Sequence, residues 1–470
     1  MGDRQTALKL FNQGVSVALD KTFSTNLSQA WQLFNSACFV DPTFGEAFYQ
    51  CGCNANDNPS PNDLSHASVA CFRRALECSD LGDKRGRALT NLAWKLHGIG
   101  KDTEALEYVK QALDYDPTLA GAWLNYSQII GTLGDTKKGV EYAKKALDFE
   151  PANTTYGMAY AFALLFDRQL AAGLDAFEVR FRYQLQQFMG YPYPKWRGEE
   201  GKQLLLVADQ GLGDTLTFAR FVEETVKRCS YVHLGVQSEL VRTFMNAFAH
   251  LPNINIMPTP FTFPEADYWT TFVSLPYALG LNDYKIRKTK HITPIYAPLA
   301  DKSWKVPDRK LHIGIQWKGS AKNEIDKHRS LDVRWFLELY RVPGIQLYSL
   351  QVGPDAQDVH NVGAGMLIKD MSPYIRDVTD TFGVLHNLDM VIAIESSLAH
   401  MASTMDMECW IPYSWCGRDY RIGWNGSDII WSSKHRTFNQ LENEGWLQVF
   451  DRIVEALKER VSEQGRPSAA

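Results

Sequence analysis

The sequence predicts an α-helical repeat array followed by an α/β region in which two Rossmann-like domains face a cleft. A stretch of the first third of the chain returns after 34 residues, which indicates stacked helical repeats. From about Gln203, short apolar runs alternate with helical stretches, as in strand–helix–strand units. We expect repeats over residues 1–182, domains over 183–306 and 307–460, and a disordered tail over 461–470 of the 470-residue chain.

The repeats are defined by GKDTEALEYVKQALDYDP at Gly100–Pro117 and GDTKKGVEYAKKALDFEP at Gly134–Pro151. Two looser copies end at Pro42 and Asp80. Three small residues keep the register and each opens a predicted helix: Ala105, Gly139 and Gly173. The pattern resembles the tetratricopeptide repeat (TPR), in which a small residue lets two helices approach and a proline stops the second. That resemblance implies a surface for peptides or protein segments, with a scaffold or dimerisation surface as the alternative.

In the remaining chain, predicted strands alternate with predicted helices, and a basic, proline-containing linker at Lys285–Pro307 interrupts the alternation. A helix is predicted from about Asp214 to Lys227 and a closing helix from about Trp446 to Arg460. The predicted strands are LLLVA near Gln203, YVHLGV, LHIGIQW from Leu311, Ile345–Gln351, Leu388–Glu395 and Glu408–Pro412. Ligands of open parallel sheets bind beyond the carboxyl ends of the strands, so we expect the site in the cleft between the domains.

The composition of the chain does not indicate a binding partner, so the partner has to be inferred from the motifs. A formal net charge of -5 gives no overall attraction to nucleic acid or to an anionic membrane. The eight cysteines form no CxxC pair, which fits a reducing compartment. The sequence has neither a basic start leading into an apolar stretch nor about 18 uninterrupted apolar residues. We therefore expect a soluble cytoplasmic protein that does not insert into a membrane.

The first motif is ADQGLGDTLTFARF, directly after a predicted strand. Gly211 and Gly213 allow a tight turn and close approach of a ligand, and the following helix points unpaired amides into the cleft. Asp214 opens that helix in the prediction. Its side chain is either a helix N-cap or a functional carboxylate.

The second motif is IAIESSLAHMA, in which a buried strand delivers Glu395, Ser396 and Ser397 to a helix start. Hydroxyl groups and free amides at such a start suit a diphosphate, and His400 lies one turn further along. An ordinary serine cap by Ser396, with a packed histidine, is the alternative.

The third motif, IQWKGSAKNEIDKHRSL, is a basic loop after a strand. Cations there would neutralise charge on a leaving diphosphate, although a solvated basic loop explains the same run. The basic residues of the loop are Lys318, Lys322, Lys327, His328 and Arg329.

Three further features are less specific. The segment WIPYSWCGRDYRIGW offers stacking aromatics, and its Arg418 or Arg421 could reach phosphate, or it is a packed loop. KIRKTKH at Lys285–His291 is interpreted as solvated linker surface, with a contact to an anionic acceptor such as DNA as the alternative. The DxD triplet at Asp114–Asp116 ends a repeat helix, so we interpret it as structural and predict no metal site.

Several motifs in a consistent order resemble bacterial and phage tetratricopeptide-repeat glycosyltransferases. They are PKWRGEE, ADQGLGDTLTFARF, GIQWKGS followed by HRSL, SLQVG, and DVTDTFGVLHNLDMVIAIESSLAHMA, within about Arg168–Gln440. The catalytic part is similar to the heptosyltransferase family and more distantly to the O-linked N-acetylglucosamine transferases. The resemblance implies a GT-B fold with Asp214 as general base. It also implies that the nucleotide diphosphate is bound by Lys318, Arg329, Ser396, Ser397 and His400. From the residues of the first two motifs, we expect Gly211, Gly213 and Glu395 to contact the nucleotide sugar as well.

One departure from the family concerns the donor: Glu395 stands where the family usually has aspartate. The leading interpretation is an inverting, metal-independent glycosyltransferase that needs no cofactor and uses a nucleotide-diphosphate sugar as donor substrate. Its acceptor would be a protein hydroxyl presented by the repeats. The alternatives are a hydroxylated DNA base or a surface glycan as acceptor, or a catalytically degenerate repeat protein that only binds partners.

Overall fold

The computed structural model divides the chain into two compact units, Met1–Asp167 and Arg168–Ala470. It describes residues 3–19, 26–55, 65–183, 190–281, 304–307, 309, 311–320, 326–415, 418–422, 432 and 434–464. The predicted basic surface Lys285–His291, most of the predicted linker and the last six residues of the predicted tail lie outside the described residues.

The first unit is helical throughout its described residues, as the repeat pattern predicted. One 3-10 segment, Ser79–Lys84, joins two of the helices. The α-helices are Arg4–Leu19, Asn26–Val40, Gly45–Asn54, Ser65–Glu77, Arg85–Gly98, Asp102–Tyr115, Ala120–Thr132, Thr136–Phe149 and Thr154–Phe166.

Small residues allow the close helix contacts of the repeats. Gly139 is buried in the fourth position of its helix, and a Cβ there would lie 3.3 Å from the Ser127 carbonyl oxygen of the preceding helix. The Ser127 hydroxyl donates to the Gly139 carbonyl oxygen at 2.7 Å. Ala105, 34 residues earlier, is fully buried at the equivalent place. The predicted register is confirmed by these contacts.

The DxD triplet ends helix Asp102–Tyr115, as the register predicted. Asp116 accepts hydrogen bonds from the Thr118 amide at 2.9 Å and the Thr118 hydroxyl at 2.7 Å. These bonds lower the pKa of the Asp116 carboxyl group. The side chain therefore shapes the turn between two repeat helices.

The second unit combines two parallel sheets with short helices. The strands are β1 (Gln203–Val207), β2 (Tyr231–Val236), β3 (Ile254–Pro258), β4 (Tyr268–Thr271), β5 (Leu311–Gln316), β6 (Ile345–Ser349), β7 (Ile368–Asp370), β8 (Met390–Ala393), β9 (Cys409–Tyr413) and β10 (His435–Asn439). The α-helices are Leu170–Phe177, Arg180–Tyr183, Leu212–Phe218, Val222–Arg228, Ser238–Ala247, Leu275–Ala278, Asp326–Arg329, Arg334–Leu337, Asp358–Asn361, Val378–Leu385, Ser397–Thr404 and Trp446–Gln464.

Both sheets have the strand order of dinucleotide-binding folds. The first sheet runs β3-β2-β1-β4 and the second β10-β9-β8-β5-β6-β7, with all pairs parallel. Counted from its own first strand, the second sheet has the order 3-2-1-4-5-6. The order reverses between β1 and β4 and between β5 and β8. Ligands of such folds bind at these reversal points, beyond the carboxyl ends of the strands.

The predicted strands match the sheet interiors. β1, β2, β5, β6, β8 and β9 were predicted, whereas β3, β4, β7 and β10 were missed. All four missed strands lie at a sheet edge. An edge strand buries less of its surface, as the half-exposed β3 and β10 illustrate, so its sequence is less apolar.

The helix predicted from Asp214 to Lys227 differs in the structure. It consists of Leu212–Phe218, a 3-10 turn at Ala219–Phe221, and Val222–Arg228. The helix begins two residues before Asp214, and Gly211 is its N-cap in an extended conformation. The N-cap interpretation of Asp214 is therefore wrong, and its carboxylate lies in the first helical turn.

The first compact unit ends at Asp167, before the predicted boundary after residue 182. Arg180 explains the difference, because its side chain is buried against β4 and the segment after β1. At the other end, helix Trp446–Gln464 continues beyond the predicted Arg460. None of the described helices is long and apolar enough to cross a membrane.

Candidate functional site

The predicted site residues follow three central strands. Asp214 comes after β1, Lys318 after β5, and Glu395 with the two serines after β8. Because all strands of a sheet run in one direction, these segments lie at the carboxyl edges of their sheets. The two reversal points can therefore be compared as possible ligand sites.

The reversal point of the first sheet is filled by the Arg180 side chain. Its guanidinium group is 2% exposed and donates to Asp209 Oδ2 from Nε and Nη2, both at 3.3 Å. Nη2 also donates to Thr271 Oγ1 at 3.0 Å and Ser274 Oγ at 2.6 Å, and Nη1 donates to Glu178 Oε1 at 2.7 Å. These bonds use the guanidinium group internally, which leaves it unavailable to a phosphate.

The reversal point of the second sheet is organised by a serine. Ser396 is the N-cap of helix Ser397–Thr404, but its hydroxyl donates to Gln316 Oε1 at the end of β5, at 2.7 Å. It makes no side-chain cap hydrogen bond to its own helix. The alternative of an ordinary serine cap is therefore wrong, and the first amides of the helix lack that partner. Such amides favour an anion.

His400 joins this helix to the helix after β1. We call Ser397–Thr404 the His400 helix and Leu212–Phe218 the Gly213 helix. The imidazole Nδ1 lies 3.0 Å from Thr217 Oγ1, and Nε2 lies 3.1 Å from Glu395 Oε1. The Thr217 hydroxyl donates to the Gly213 carbonyl oxygen at 2.8 Å, so its oxygen accepts from Nδ1–H. The ring therefore acts as a donor between the two sheets.

The contact of the two helices requires a glycine. A Cβ at Gly213 would lie 2.5 Å from Cδ2 of His400 and 3.4 Å from its Cγ and Nε2. At Gly211 an added Cβ would meet Asp214 Oδ2 at 3.7 Å, an ordinary contact. Of these two glycines, Gly213 is the one whose missing side chain makes room for His400.

Glu395 is held by Arg329 on one side and by His400 on the other. Its Oε2 lies 2.6 Å from Arg329 Nη1, and Arg329 Nε also contacts Asp326 Oδ1 at 3.2 Å. Burial raises the pKa of Glu395, but the hydrogen bond from His400 and the charges of His400, Arg329 and Arg421 outweigh it. The pKa is lowered to about 2. The carboxylate is therefore ionised at neutral pH.

Asp214 is bound by an arginine that sequence reasoning had considered for phosphate. Arg421 Nη1 lies 2.8 Å from Asp214 Oδ1, although not in the alignment of a hydrogen bond. Nε of Arg421 donates to both carboxylate oxygens of Asp419, at 3.0 and 2.9 Å. The Asp214 side chain is 30% exposed, whereas that of Arg421 is 11% exposed. Asp214 therefore keeps access to solvent while its partner is nearly buried.

The contacts of these side chains form two neighbouring groups, one around Arg421 and one around Glu395. We call the two groups together the central cluster: Asp214, Thr217, Arg329, Glu395, His400, Asp419 and Arg421. Possible ligand atoms of Glu395, His400 and Asp419 lie within 4.8 Å of one another, which is close enough for a metal ion. However, Arg329 and Arg421 already neutralise the two carboxylates, so a divalent cation would have to displace an arginine.

Two basic groups beside the central cluster have lowered pKa values. Burial, together with the charge of Arg421, lowers the pKa of Arg220 to about 10. Burial, with the charges of His400 and Arg220, lowers the pKa of His435 to about 3. Burial, the largest cause of both shifts, disfavours charge of either sign, and the neighbouring cations add a smaller repulsion. An anionic ligand would offset only that smaller repulsion.

Some predicted residues lie apart from the cluster. Lys318 follows β5, but its ammonium group pairs with Asp355 at 2.9 Å and Asp358 at 2.8 Å. Its assignment to the diphosphate stays a prediction. Ser397 is half-buried at the first position of the His400 helix. Lys322 and the side chain of Lys327 lie outside the described residues.

Sequence reasoning missed three contributors, Arg180, Thr217 and Asp419. Thr217 lies one helical turn after Gly213 within the same motif, so the helix period could have indicated it. Asp419 lies two residues before Arg421 and accepts from its backbone amide at 2.8 Å. Arg180 gave no sequence signal, because three of its four side-chain partners, Asp209, Thr271 and Ser274, lie 29 to 94 residues away.

Comparison with known proteins identifies the helical part. Residues 120–153 match the tetratricopeptide repeat family. The first unit contains a TPR region. The α/β unit is a separate, parallel-sheet region that this match does not include.

One curated relative extends over more of the chain. Protein FlbA of Caulobacter vibrioides is 21% identical over 378 residues, which cover 67% of this chain and 63% of FlbA. The chain therefore spans just under two thirds of the length of that relative.

Similar solved structures include a MamA RS-1 ArsTM double mutant and MamA 41-end from Desulfovibrio magneticus RS-1. Each is 18% identical to this chain, with a TM-score of 0.33. Each match covers 40% of this chain and 98% of the MamA chain. YrrB, described as a TPR protein with an unusual peptide-binding site, is 13% identical with a TM-score of 0.31. The match covers 40% of this chain and 91% of the YrrB chain.

Proposed function

We propose that the chain is an inverting glycosyltransferase of the GT-B kind, which moves a sugar from a nucleotide-diphosphate donor to an acceptor hydroxyl. The observation that carries the proposal is the contact of two strand-end motifs across the sheets. A half-exposed carboxylate, Asp214, lies one turn from Thr217, and Thr217 bonds the His400 of the serine-led helix. A candidate base and a candidate anion site therefore belong to one cluster.

The donor is assigned to the second sheet. Its reversal point ends in Gln316 and Ser396, and the first amides of the His400 helix are open to a diphosphate. Arg329, which pairs with Glu395 and Asp326, adds positive charge on the same side. The corresponding point of the first sheet is filled by Arg180, which argues against a nucleotide there.

The reaction is a single displacement at the anomeric carbon. The acceptor oxygen attacks that carbon while Asp214 takes the hydroxyl proton. The bond from the anomeric carbon to the diphosphate oxygen breaks, and its electron pair leaves with the diphosphate. Attack and departure on opposite faces invert the configuration. The amides at the start of the His400 helix would stabilise the departing charge, and Arg329 would add positive charge nearby.

The acceptor is proposed to be a protein. Stacked helical repeats form extended surfaces that bind protein segments, and the TPR region precedes the α/β unit in the same chain. Such a region supplies binding energy for the acceptor apart from the chemistry. Transfer to hydroxylated DNA or to a glycan is the alternative outcome of the acceptor test.

The donor test is incubation of the full chain with a panel of nucleotide sugars while hydrolysis is measured. Asp214→Asn should reduce turnover by about 10²–10⁴-fold, the usual contribution of a general base. Its stabilisation by the matching nucleoside diphosphate should persist, at about 2.7 kcal/mol when the ligand is at 100 times its Kd. Glu224→Gln is the control, because Glu224 is 52% exposed and pairs only loosely with Lys227 at 3.8 Å.

Three results would count against the proposal. Full activity of Asp214→Asn would remove Asp214 as base. A chain that neither hydrolyses any donor nor gains stability from any nucleoside diphosphate would be a binding protein. Transfer of labelled sugar to hydroxylated DNA, with none to protein, would replace the protein acceptor.

A further inference from the structure

Arg421 lies at the junction of two carboxylates from different parts of the α/β unit. Its Nη1 approaches Asp214 Oδ1 at 2.8 Å, after β1 of the first sheet. Its Nε and Nη2 pair with Asp419, after β9 of the second sheet. One guanidinium group thus spans the space between a candidate base and a buried acid.

The backbone around Arg421 is fixed by several hydrogen bonds. The amide of Arg421 donates to Asp419 Oδ1 at 2.8 Å, and the amide of Ile422 donates to the Asp419 carbonyl oxygen at 3.0 Å. Arg168 Nη1 donates to the Tyr420 carbonyl oxygen at 2.8 Å. The turn at Asp419 and the bond from Arg168 therefore hold the backbone from which the guanidinium group extends.

The pairing does not suit a primary phosphate ligand. Nε and Nη2 are engaged by Asp419, and Nη1 lies against Asp214. Burial lowers the pKa of Arg421, but the two carboxylates outweigh it and hold the pKa well above the ordinary value. The cation is balanced within the protein, and a diphosphate could bind it only by separating one of these pairs.

We propose that Arg421 is a positioning residue for Asp214. Held by Asp419, it fixes Asp214 Oδ1 and thereby leaves Oδ2 as the oxygen that receives the proton of the acceptor hydroxyl. The role rests on the proposed transferase function, and it gives the second sheet a part in orienting a base that belongs to the first. Misplacement of a reacting group by about 1 Å can cost about 10²-fold in rate.

The experiment compares Arg421→Gln, Arg421→Lys and Asp419→Asn with the full-length wild type. We measure kcat and KM for donor turnover and the Kd of the matching nucleoside diphosphate. Arg421→Gln should lower kcat about 10–100-fold while the Kd of the nucleoside diphosphate changes less than about twofold. Arg421→Lys should recover part of kcat, because an ammonium group can still pair with Asp214 but not bind Asp419 through two nitrogens. Asp419→Asn should fall between them.

A second measurement separates positioning from general damage. In an Asp214→Asn background, Arg421→Gln should cause no further loss of turnover, because the base that it positions is gone. A further loss of tenfold or more would overturn the proposal. An increase of tenfold or more in the Kd of the nucleoside diphosphate with kcat unchanged would instead identify Arg421 as a phosphate ligand.

The two proposals fail in different ways. An active wild type whose turnover Arg421→Gln and Asp419→Asn both leave unchanged overturns the positioning role alone. A wild type that turns over no donor overturns the transferase function, and the positioning role with it. If Arg421→Gln does not fold, Arg421→Lys and Asp419→Asn give the same comparison.

Discussion

Replacing Gly213 with alanine should destabilise the α/β unit. The new Cβ would lie 2.5 Å from Cδ2 of His400, whereas ordinary contact begins at 3.4 Å. The imidazole cannot simply turn aside, because Nδ1 is bonded to Thr217 and Nε2 to Glu395, at 3.0 and 3.1 Å. The ring must either move by about 1 Å and weaken these bonds, or the two helices must separate.

The magnitude follows from three contributions. Overpacking of a well-packed contact costs about 1–3 kcal/mol. Losing a hydrogen bond to an ionised carboxylate, here Glu395, adds about 1.5–3 kcal/mol. Alanine regains up to about 1 kcal/mol of helix propensity over glycine. We expect Gly213→Ala to lower the free energy of unfolding by about 2–4 kcal/mol, counting the hydrogen bond as partly retained.

The assay is denaturant unfolding of the full chain, followed through the transition of the α/β unit. Gly211→Ala is the matched control, because its Cβ meets only Asp214 Oδ2 at 3.7 Å and Gly211 has φ −66°. In a His400→Ala background the obstacle is gone, so Gly213→Ala should cost at least about 1 kcal/mol less than in the wild type. Equal costs in both backgrounds, or a neutral Gly213→Ala, would show that the contact with His400 does not limit this position.

Two further predictions concern the charges buried near the first sheet. Arg180→Met should lower the free energy of unfolding by about 3–5 kcal/mol, because it leaves Asp209 buried without its cation. Adding Asp209→Asn should recover part of that loss. A double variant less stable than Arg180→Met would contradict this. Burial lowers the pKa of Lys195 from 10.5 to about 8 despite its pairing with Glu178. The unfolded chain therefore binds one more proton than the folded chain between pH 8 and 10.5. As the pH rises across that window, the unfolding free energy of the wild type should increase by up to about 3 kcal/mol relative to Lys195→Met, as measured by unfolding at each pH. A difference between the two proteins that does not depend on pH would rule this out.

The sequence predicted the interior of both sheets but not their edges. β5 is buried at all six positions and reads as an apolar run, so its pattern is visible without the structure. β10, with the sequence HRTFN, is half-exposed, and β7 has only three residues. Their place in the sheet depends on pairing with β9 and β6, which local pattern does not encode.

The sequence predicted which residues of the candidate site follow the strands, but not which side chains contact each other. The motifs placed Asp214, Glu395 and His400 beyond strand ends, which the topology confirms. The bond between Thr217 and His400 joins residues 183 apart in sequence. Local pattern also left open a cap by Ser396 on its own helix, whereas its hydroxyl donates to Gln316 at the end of β5. A polar side chain with two possible partners is decided by tertiary packing.

The two reversal points show why similar topology need not give similar function. In the first sheet, a buried arginine takes the place that a ligand phosphate would occupy, and four side chains satisfy it. In the second, the serine at the helix start is diverted to β5, which leaves backbone amides without their usual cap. A buried arginine whose charge is already balanced by carboxylates offers little attraction to a ligand phosphate. A helix start without a side-chain cap attracts an anion. The asymmetry therefore supports the proposal that the donor binds at the second sheet and that the first contributes the base.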